Sequence, residues 1–419
     1  FLAIVALCSA AYGTTYYVST TGSDGNPGTS TLPWATIQYA VNTIAAGDTI
    51  LVKPGTYAGC RIQSSGTSGS PKTLAAETAG TVLLNSLSAQ ASHNGIIELE
   101  NYSYAVNYWA IDGFEVDGIN KTYRGIDSRS TYDKQNSHIS ITNCVVHDTT
   151  PTGISSGHTH YLLLENNVSY SNGEHGTYVN NSSDYGVERN NVCYSNTGCG
   201  MHHNGDKSMK GDGICSYWLV EKNVAYLNPS GSGFNFDGVC DSKIMNNLGY
   251  NNTGSGISLY AIDGAEASSR DLVYNNTIVM PTNGRWAMNI TKNRKLLPVA
   301  NKLKNNIFYN AATDKGSIAT YASGVTGFES NYNIVVDRFS INEGGTIITL
   351  SAWQAYGYDA NSIISTATAL FVDAANDDYH LKSTSPAINA GTTLTEVTDD
   401  LDDVSRPQGT AYDIGCYEY

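Results

Sequence analysis

The sequence predicts an all-β fold, a single-stranded parallel β-helix. Three observations carry that prediction: a short phrase recurring at one-coil spacing, Asn-Asn pairs inside most copies, and apolar/polar alternation in the strand that follows. The phrase reads ITNCVVHD (141–148), LENNVSYSN (164–172), ERNNVCYSN (188–196), EKNVAYLN (221–228), MNNLGYNN (245–252), YNNTIVM (274–280), KNNIFYN (304–310) and NYNIVV (331–336). Aligned, these copies place Cys144, Asn167, Asn191, Asn223, Asn247, Asn276, Asn306 and Asn333 in one column, at spacings of 23, 24, 32, 24, 29, 30 and 27 residues. Such a period fits one coil of a solenoid.

Each copy is a short β-branched or apolar run broken by Asn, and Asn tolerates the left-handed backbone of a tight bend between strands. Helical repeats of similar length need long runs of helix formers, and none is present. Coils stacked about 4.8 Å apart bring equivalent side chains above one another. The Asn column is therefore expected to be scaffold, its amides hydrogen-bonded from coil to coil.

Along the chain, residues 1–13 (FLAIVALCSAAYG) look like the apolar part and small-residue cleavage site of a secretory signal, or a retained apolar segment. Residues 14–60 read as an N-terminal cap with the first strands: a strand, a Gly/Asp/Pro turn, an amphipathic helix over Ala35 to Ile44, and a strand ending at Pro54-Gly55. A solenoid needs such a helix over its open first coil. Residues 61–375 form the β-helix and 376–419 a closing segment.

The 419 residues carry 23 Lys+Arg against 38 Asp+Glu, a formal charge of −15. That acidity argues against nucleic acid, whose phosphates need a basic surface. After residue 13 no stretch of 18 apolar residues appears, so no membrane span is expected.

The stretch YYVSTTGSDGNPGTSTLPWATIQYAVNTIAAGDTILVKPGTYAG (16–59) resembles the N-terminal part of secreted right-handed parallel β-helix proteins, including polysaccharide lyases of the chondroitinase-B type. The end (378–419), with SPAINAG, RPQG and DIGCYEY, is similar to the closing segment of many bacterial β-helix proteins. The resemblance implies right-handed winding, an extracellular location and a polysaccharide partner. The catalytic Lys-Arg pair and the calcium carboxylates of the chondroitinase-B type find no match here.

Eight of the nine histidines lie between His93 and His203. Reading the second strand of successive coils as 153–156, 176–179, 200–203, 233–236, 256–259 and 287–290 points Ile154, Val179, Met201, Phe234, Phe236, Ile257, Leu259, Met288 and Ile290 inward. Ser155, Tyr178, His202, Asn235, Ser258 and Asn289 then form an outward row. The 32-residue coil holds an insertion, DKSMKGDGIC (206–215), and long insertions on one face of a solenoid line its binding face.

On this face His202 is the candidate acid or base, with Asp237, Lys207 and Lys210 completing the catalytic set. Tyr178, His175, Asn204, Asn235, Tyr260 and Asp263 are candidate sugar contacts. Asp206 and Asp212 are candidate Ca²⁺ ligands. His203, on the inward register, is the alternative of a core histidine, and His158 and His160 are a further His-x-His pair.

No zinc spacing appears among the cysteines, so in an exported protein Cys193, Cys199, Cys215 and Cys240 are disulfide candidates, with Cys144 a buried free thiol. A second column, His147, Tyr170, Tyr194, Tyr226 and Tyr250, is expected to stack outside, where it can hold sugar rings, pack against another chain or only stiffen the sheet.

Two functions follow. The first is a secreted carbohydrate-active protein that binds and cleaves an extracellular polysaccharide as lyase or hydrolase. The alternative is a non-catalytic structural protein that self-assembles as a homo-oligomer, filament or surface layer.

Overall fold

The computed structural model describes residues 13–100, 103–119, 123–293 and 295–419. The apolar segment 1–12 with Cys8, and so the leader expected there, lies outside them.

Three long parallel sheets run the length of the solenoid. Sheet I has 12 strands, from Thr15–Val18 to Glu329–Asn331. Sheet II has 11, from Cys60–Ile62 to Phe339–Ser340. Sheet III has 12, from Gly55–Ala58 to Ile363–Ile364. One coil is Thr159–Glu165 in sheet I, Val168–Tyr170 in sheet III and Thr177–Asn180 in sheet II, after which Val187–Arg189 returns to sheet I one level on.

The repeated phrase is the bend between sheets I and III. Its first Asn takes the left-handed backbone, with φ of 56° at Asn166 and Asn190, 52° at Asn246 and Asn275 and 57° at Asn305. Its second Asn turns inward and builds the expected ladder. Asn167, Asn191, Asn223, Asn247 and Asn276 each donate Nδ2–H to the Oδ1 of the next Asn at 2.9–3.1 Å. Each also donates to a backbone carbonyl of its own neighbourhood. The column starts where Cys144, buried and free, donates its backbone N–H to Asn167 Oδ1 at 3.0 Å. The last Asn of each phrase makes a second ladder that was not anticipated: Asn172, Asn196, Asn228 and Asn252, joined at 2.8–3.3 Å.

The inward set Ile154, Val179, Met201, Phe234, Phe236, Ile257, Leu259, Met288 and Ile290 is buried as the alternation requires. His203 lies in the same interior, its Nε2 2.7 Å from Glu188 Oε2.

The helix near the N-terminus spans Ile37–Thr43, shorter than 35–44. Thr36 accepts the Tyr39 N–H at its start, and Ile37, Ala40 and Val41 are buried. It packs against Cys60–Ile62, the end strand of sheet II. At the other end Trp353 stacks on Phe339 at 5.1 Å.

The closing segment does more than close. It folds back along the coils, so that Asp399 and Asp403 reach Lys222, Gly415 O reaches Asn275, and Cys416 N–H reaches Thr277 Oγ1. Arg406 and Glu418 form a buried ion pair at 2.6 Å beneath it.

The expected disulfides are absent among the described residues: Cys193, Cys199, Cys215 and Cys240 are free and buried. The registers explain one pair. Cys215 lies opposite Val239 and Ser216 opposite Cys240, so the two cysteines are one place out of step and point to opposite faces. Cys193 sits on the inward row between Ser169 and Ala225, with no cysteine above or below it.

Candidate functional site on the outer face of sheet II

Strand pairing puts Arg61, Glu98, Asp127, Ser155, Tyr178, His202, Asn235, Ser258 and Asn289 in one outward row. A second row two residues on carries Asn180, Asn204, Asp237 and Tyr260. Contrary to a freely solvated face, Ser155, Asn235, Ser258 and Asn289 are each less than a tenth exposed.

His202 meets His175, which comes from the loop entering the preceding strand. His202 Nδ1 and His175 Nε2 are 3.1 Å apart, with the rings edge to face. The other nitrogen of His175, Nδ1, accepts the backbone N–H of Cys199 at 2.9 Å. His202 Nε2 is shielded from solvent and has no hydrogen-bond partner. Burial, reinforced by the neighbouring His175 and His203, pushes His202 well below the usual histidine range, and burial also lowers His175.

Two tyrosines flank the pair. Asn204 Nδ2 donates to Tyr178 Oη at 3.1 Å and Asn235 Nδ2 to Tyr260 Oη at 2.6 Å. Since each hydroxyl oxygen is used as an acceptor, each O–H proton is left to donate. Burial raises both tyrosines, Tyr178 to about 12, so the two phenols are neutral.

The remaining candidates divide. Asp237 accepts the backbone N–H groups of Ile262, Asp263 and Gly264 at 2.8, 3.0 and 3.2 Å, and so organises the 261–264 turn. Asp263 contributes its carbonyl to the Lys207 N–H. Lys207 lines a different cavity of about 550 Å³ with Ile262, Ala265 and Lys295. Lys210 reaches Asp133 at 3.4 Å in solvent. Asp206 accepts the Ser208 N–H and Asp212 the Ile214 N–H, each closing a turn of its own insertion. His202, Asn235 and Asp237 were expected to converge with either Lys207 or Lys210; these contacts bring the Lys207 backbone to the turn that Asp237 holds and pair Lys210 with Asp133.

His158 is buried at the foot of the insertion. His160 lines a cavity of about 220 Å³ with Tyr132, Gln135, Ser182, Asp184 and Asp212. There burial, helped by Asp212, raises Asp184 to about 6.

Sequence reasoning passed over the acidic stretch of the same face. Glu98 accepts the N–H groups of Ser92, His93 and Gly95, while Glu100 takes Ser92 Oγ and His93 Nδ1. Asp127 is held by Ser155 and Arg129. The signal was there in GIIELE (95–100), where period-two alternation puts Glu98 and Glu100 on the face opposite Ile97 and Leu99.

Two groups bring metal-ligating atoms within 4.8 Å of one another: His175, Cys199 and His202, and Asp117, His147 and Asp148. In the first, the Cys199 amide occupies His175 Nδ1, which keeps the ring proton on Nε2, and burial raises the Cys199 thiol to about 11. Both groups would have to lose a proton before ligating. In the second, both nitrogens of His147 already face carboxylates, Asp148 at 2.8 Å and Glu115 at 3.3 Å.

The expected tyrosine column exists. His147, Tyr170, Tyr194, Tyr226 and Tyr250 stack at 4.8–4.9 Å, and Tyr379 of the returning segment closes the row. The stacking covers the ring faces, so only edges and hydroxyls remain for a sugar. A second column, unforeseen, joins Tyr108, His138, Tyr161, Tyr185 and Tyr217 at 4.5–5.2 Å, every member at positive φ.

Comparison with known proteins agrees with this architecture. The family model described as Pel9A-like, right handed beta helix region matches residues 16–162, and a right handed beta helix region model matches residues 132–285. Among solved structures, pectate lyase Pel9A is 16% identical with 97% of each chain covered and a TM-score of 0.58. The complex of XylC with xylose is 11% identical, covering 96% of this chain and 98% of that one, with a TM-score of 0.57. A glycoside hydrolase is 12% identical over 79% and 95%, with a TM-score of 0.56. No curated protein sequence matches. The described residues between Thr15 and Ile364 form a right-handed parallel β-helix, similar in fold to pectate lyase Pel9A.

Proposed function

We propose that this is a secreted carbohydrate-active protein that binds and cleaves an extracellular polysaccharide on the outer face of sheet II. The observation that carries the reading is the group of His202, His175, Tyr178 and Tyr260: neutral polar side chains gathered on one sheet face, with a buried imidazole nitrogen left without a partner. A buried polar group without a partner costs stability, and such groups persist where a ligand satisfies them. The likeness to Pel9A and to a glycoside hydrolase points to the same class of partner.

The test is incubation of the purified protein with polygalacturonate, rhamnogalacturonan, xylan and chondroitin sulfate, with and without Ca²⁺. Unsaturated ends are read by absorbance and reducing ends by colorimetry. A lyase yields both signals and a hydrolase only reducing ends. His202→Ala should lower either about tenfold or more. Failure of every polysaccharide to be cleaved or bound would remove the reading.

One observation favours the second reading, a self-assembling building block: Tyr161, Tyr185 and Tyr217 stand about half exposed in their stacked column. Light scattering on the same preparation decides it, because a building block forms regular assemblies that Tyr185→Asp breaks up.

A further inference from the structure

The hydrogen bonds around His175 fix a direction that the identities of the residues leave open. A backbone N–H can only donate, so the Cys199 amide, 2.9 Å from His175 Nδ1, makes that nitrogen an acceptor. A neutral imidazole then carries its one proton on Nε2. His175 Nε2–H lies 3.1 Å from His202 Nδ1, which therefore accepts in turn, and the proton of His202 is forced onto its own Nε2. That N–H is buried and donates to nothing among the described residues. The Cys199 amide thus polarises a two-histidine chain whose only open end is a donor.

We infer that His202 meets its ligand as a neutral Nε2–H donor to an acceptor oxygen of a sugar, and that His175 is the positioning residue that sets this polarity. The inference rests on the proposed function for the identity of the ligand, and on the hydrogen bonds alone for the tautomer. Its surroundings agree. The hydroxyl oxygens of Tyr178 and Tyr260 are occupied by amide donors from Asn204 and Asn235, so their protons also point away as donors. Burial disfavours the charged form of both histidines, which keeps the chain neutral. A neutral imidazole whose only free nitrogen bears the proton is not a base. His202 therefore holds and orients a sugar oxygen, and the group that removes or delivers a proton in the reaction is a different one.

The experiment reads the tautomer directly. In protein labelled with ¹⁵N in its histidine rings, long-range N–H correlation spectra at neutral pH should show His175 and His202 both protonated at Nε2 only. A proton on His202 Nδ1, or an imidazolium at either residue, overturns the inference. His175→Gln keeps an acceptor for the Cys199 amide and a donor for His202, and should retain the His202 Nε2–H signature. His175→Leu removes the donor and should give His202 a mixture of tautomers. If His175→Leu leaves the His202 spectrum unchanged in a folded protein, as judged by thermal unfolding, His175 has no positioning role.

With a substrate that the wild type cleaves, kcat/KM should fall about tenfold in His175→Leu, one hydrogen bond's worth of orientation, and be partly recovered in His175→Gln. Addition of tri-galacturonate or xylotriose should shift the His202 Nε2–H resonance, and if neither moves it while the protein cleaves the parent polymer, the donor role is refuted. If no polysaccharide is cleaved at all, the proposed function fails, while the spectra still decide the tautomer chain.

Discussion

The bend between sheets I and III and the outer face of sheet II are both lined by polar side chains stacked rung upon rung, yet they are built on opposite principles. At the bend one residue type recurs, and every amide from Asn167 to Asn276 has a partner above or below it and a carbonyl beside it. On the face each rung differs from the next, and His202 Nε2 ends without a partner. Uniformity with complete pairing marks scaffold, because each coil must offer the next the same acceptor. Variation with an open donor marks a surface that is completed by something else.

The largest expected effect breaks the uniform side. Asn191→Leu leaves Asn167 N–H and one Nδ2–H buried without partners and takes one donor from the Leu164 carbonyl, and should cost about 3 kcal/mol, read as a lower denaturation midpoint. Next comes the tyrosine column. Tyr194→Ala removes two stacked contacts at 4.9 Å and should cost about 1–3 kcal/mol. A loss as small as that of an isolated surface residue would show that the column adds nothing.

On the variable face the effect should shrink. His202→Phe removes the orphaned Nε2–H but also the acceptor of His175 Nε2–H, and these offset to within about 1 kcal/mol. A drop as large as that of Asn191→Leu would erase the distinction between scaffold and face.

The pH dependence sharpens the same comparison. Histidines whose folded value lies below their ordinary 6.5, with burial as the main cause, are less protonated in the fold than in the unfolded chain. Their stability contribution is complete above about pH 6.5 and is lost as pH falls through the folded values. Asp184, raised to about 6 by burial, works oppositely and costs stability as pH rises from its ordinary 3.8 towards 6. Unfolding midpoints should therefore decline below pH 6.5, and the decline should weaken in His175→Gln/His202→Gln. The Asn ladder contributes nothing to it, having no titrating group. The smallest effect is chemical: mass spectrometry after unfolding without reductant should find Cys193, Cys199, Cys215 and Cys240 all alkylated.

The chain's own pattern determined the coil, its register and its inner face. A repeat of one coil length sets Asn167 over Asn191, and period-two alternation then assigns every strand residue to the core or the outside. Tyr170 to Tyr250 followed from the same column. The sequence could not determine what happens between coils of unequal length or between distant segments. His175 and Cys199 lie in connecting loops, outside any alternation, so their meeting with His202 depends on how each loop folds over the strand. Asp237 has the composition of a catalytic acid, and only the turn at 261–264 commits it to three backbone amides. The cysteine cluster is dense in sequence, but Cys215 and Cys240 face apart because a one-residue offset in a strand reverses the side chain. The return of residues 371–419 over Lys222 and Asn275 joins groups more than a hundred positions apart. Periodicity constrains neighbours in the repeat, whereas contacts of that separation are decided by the packing of whole surfaces, and only the tertiary structure holds that information.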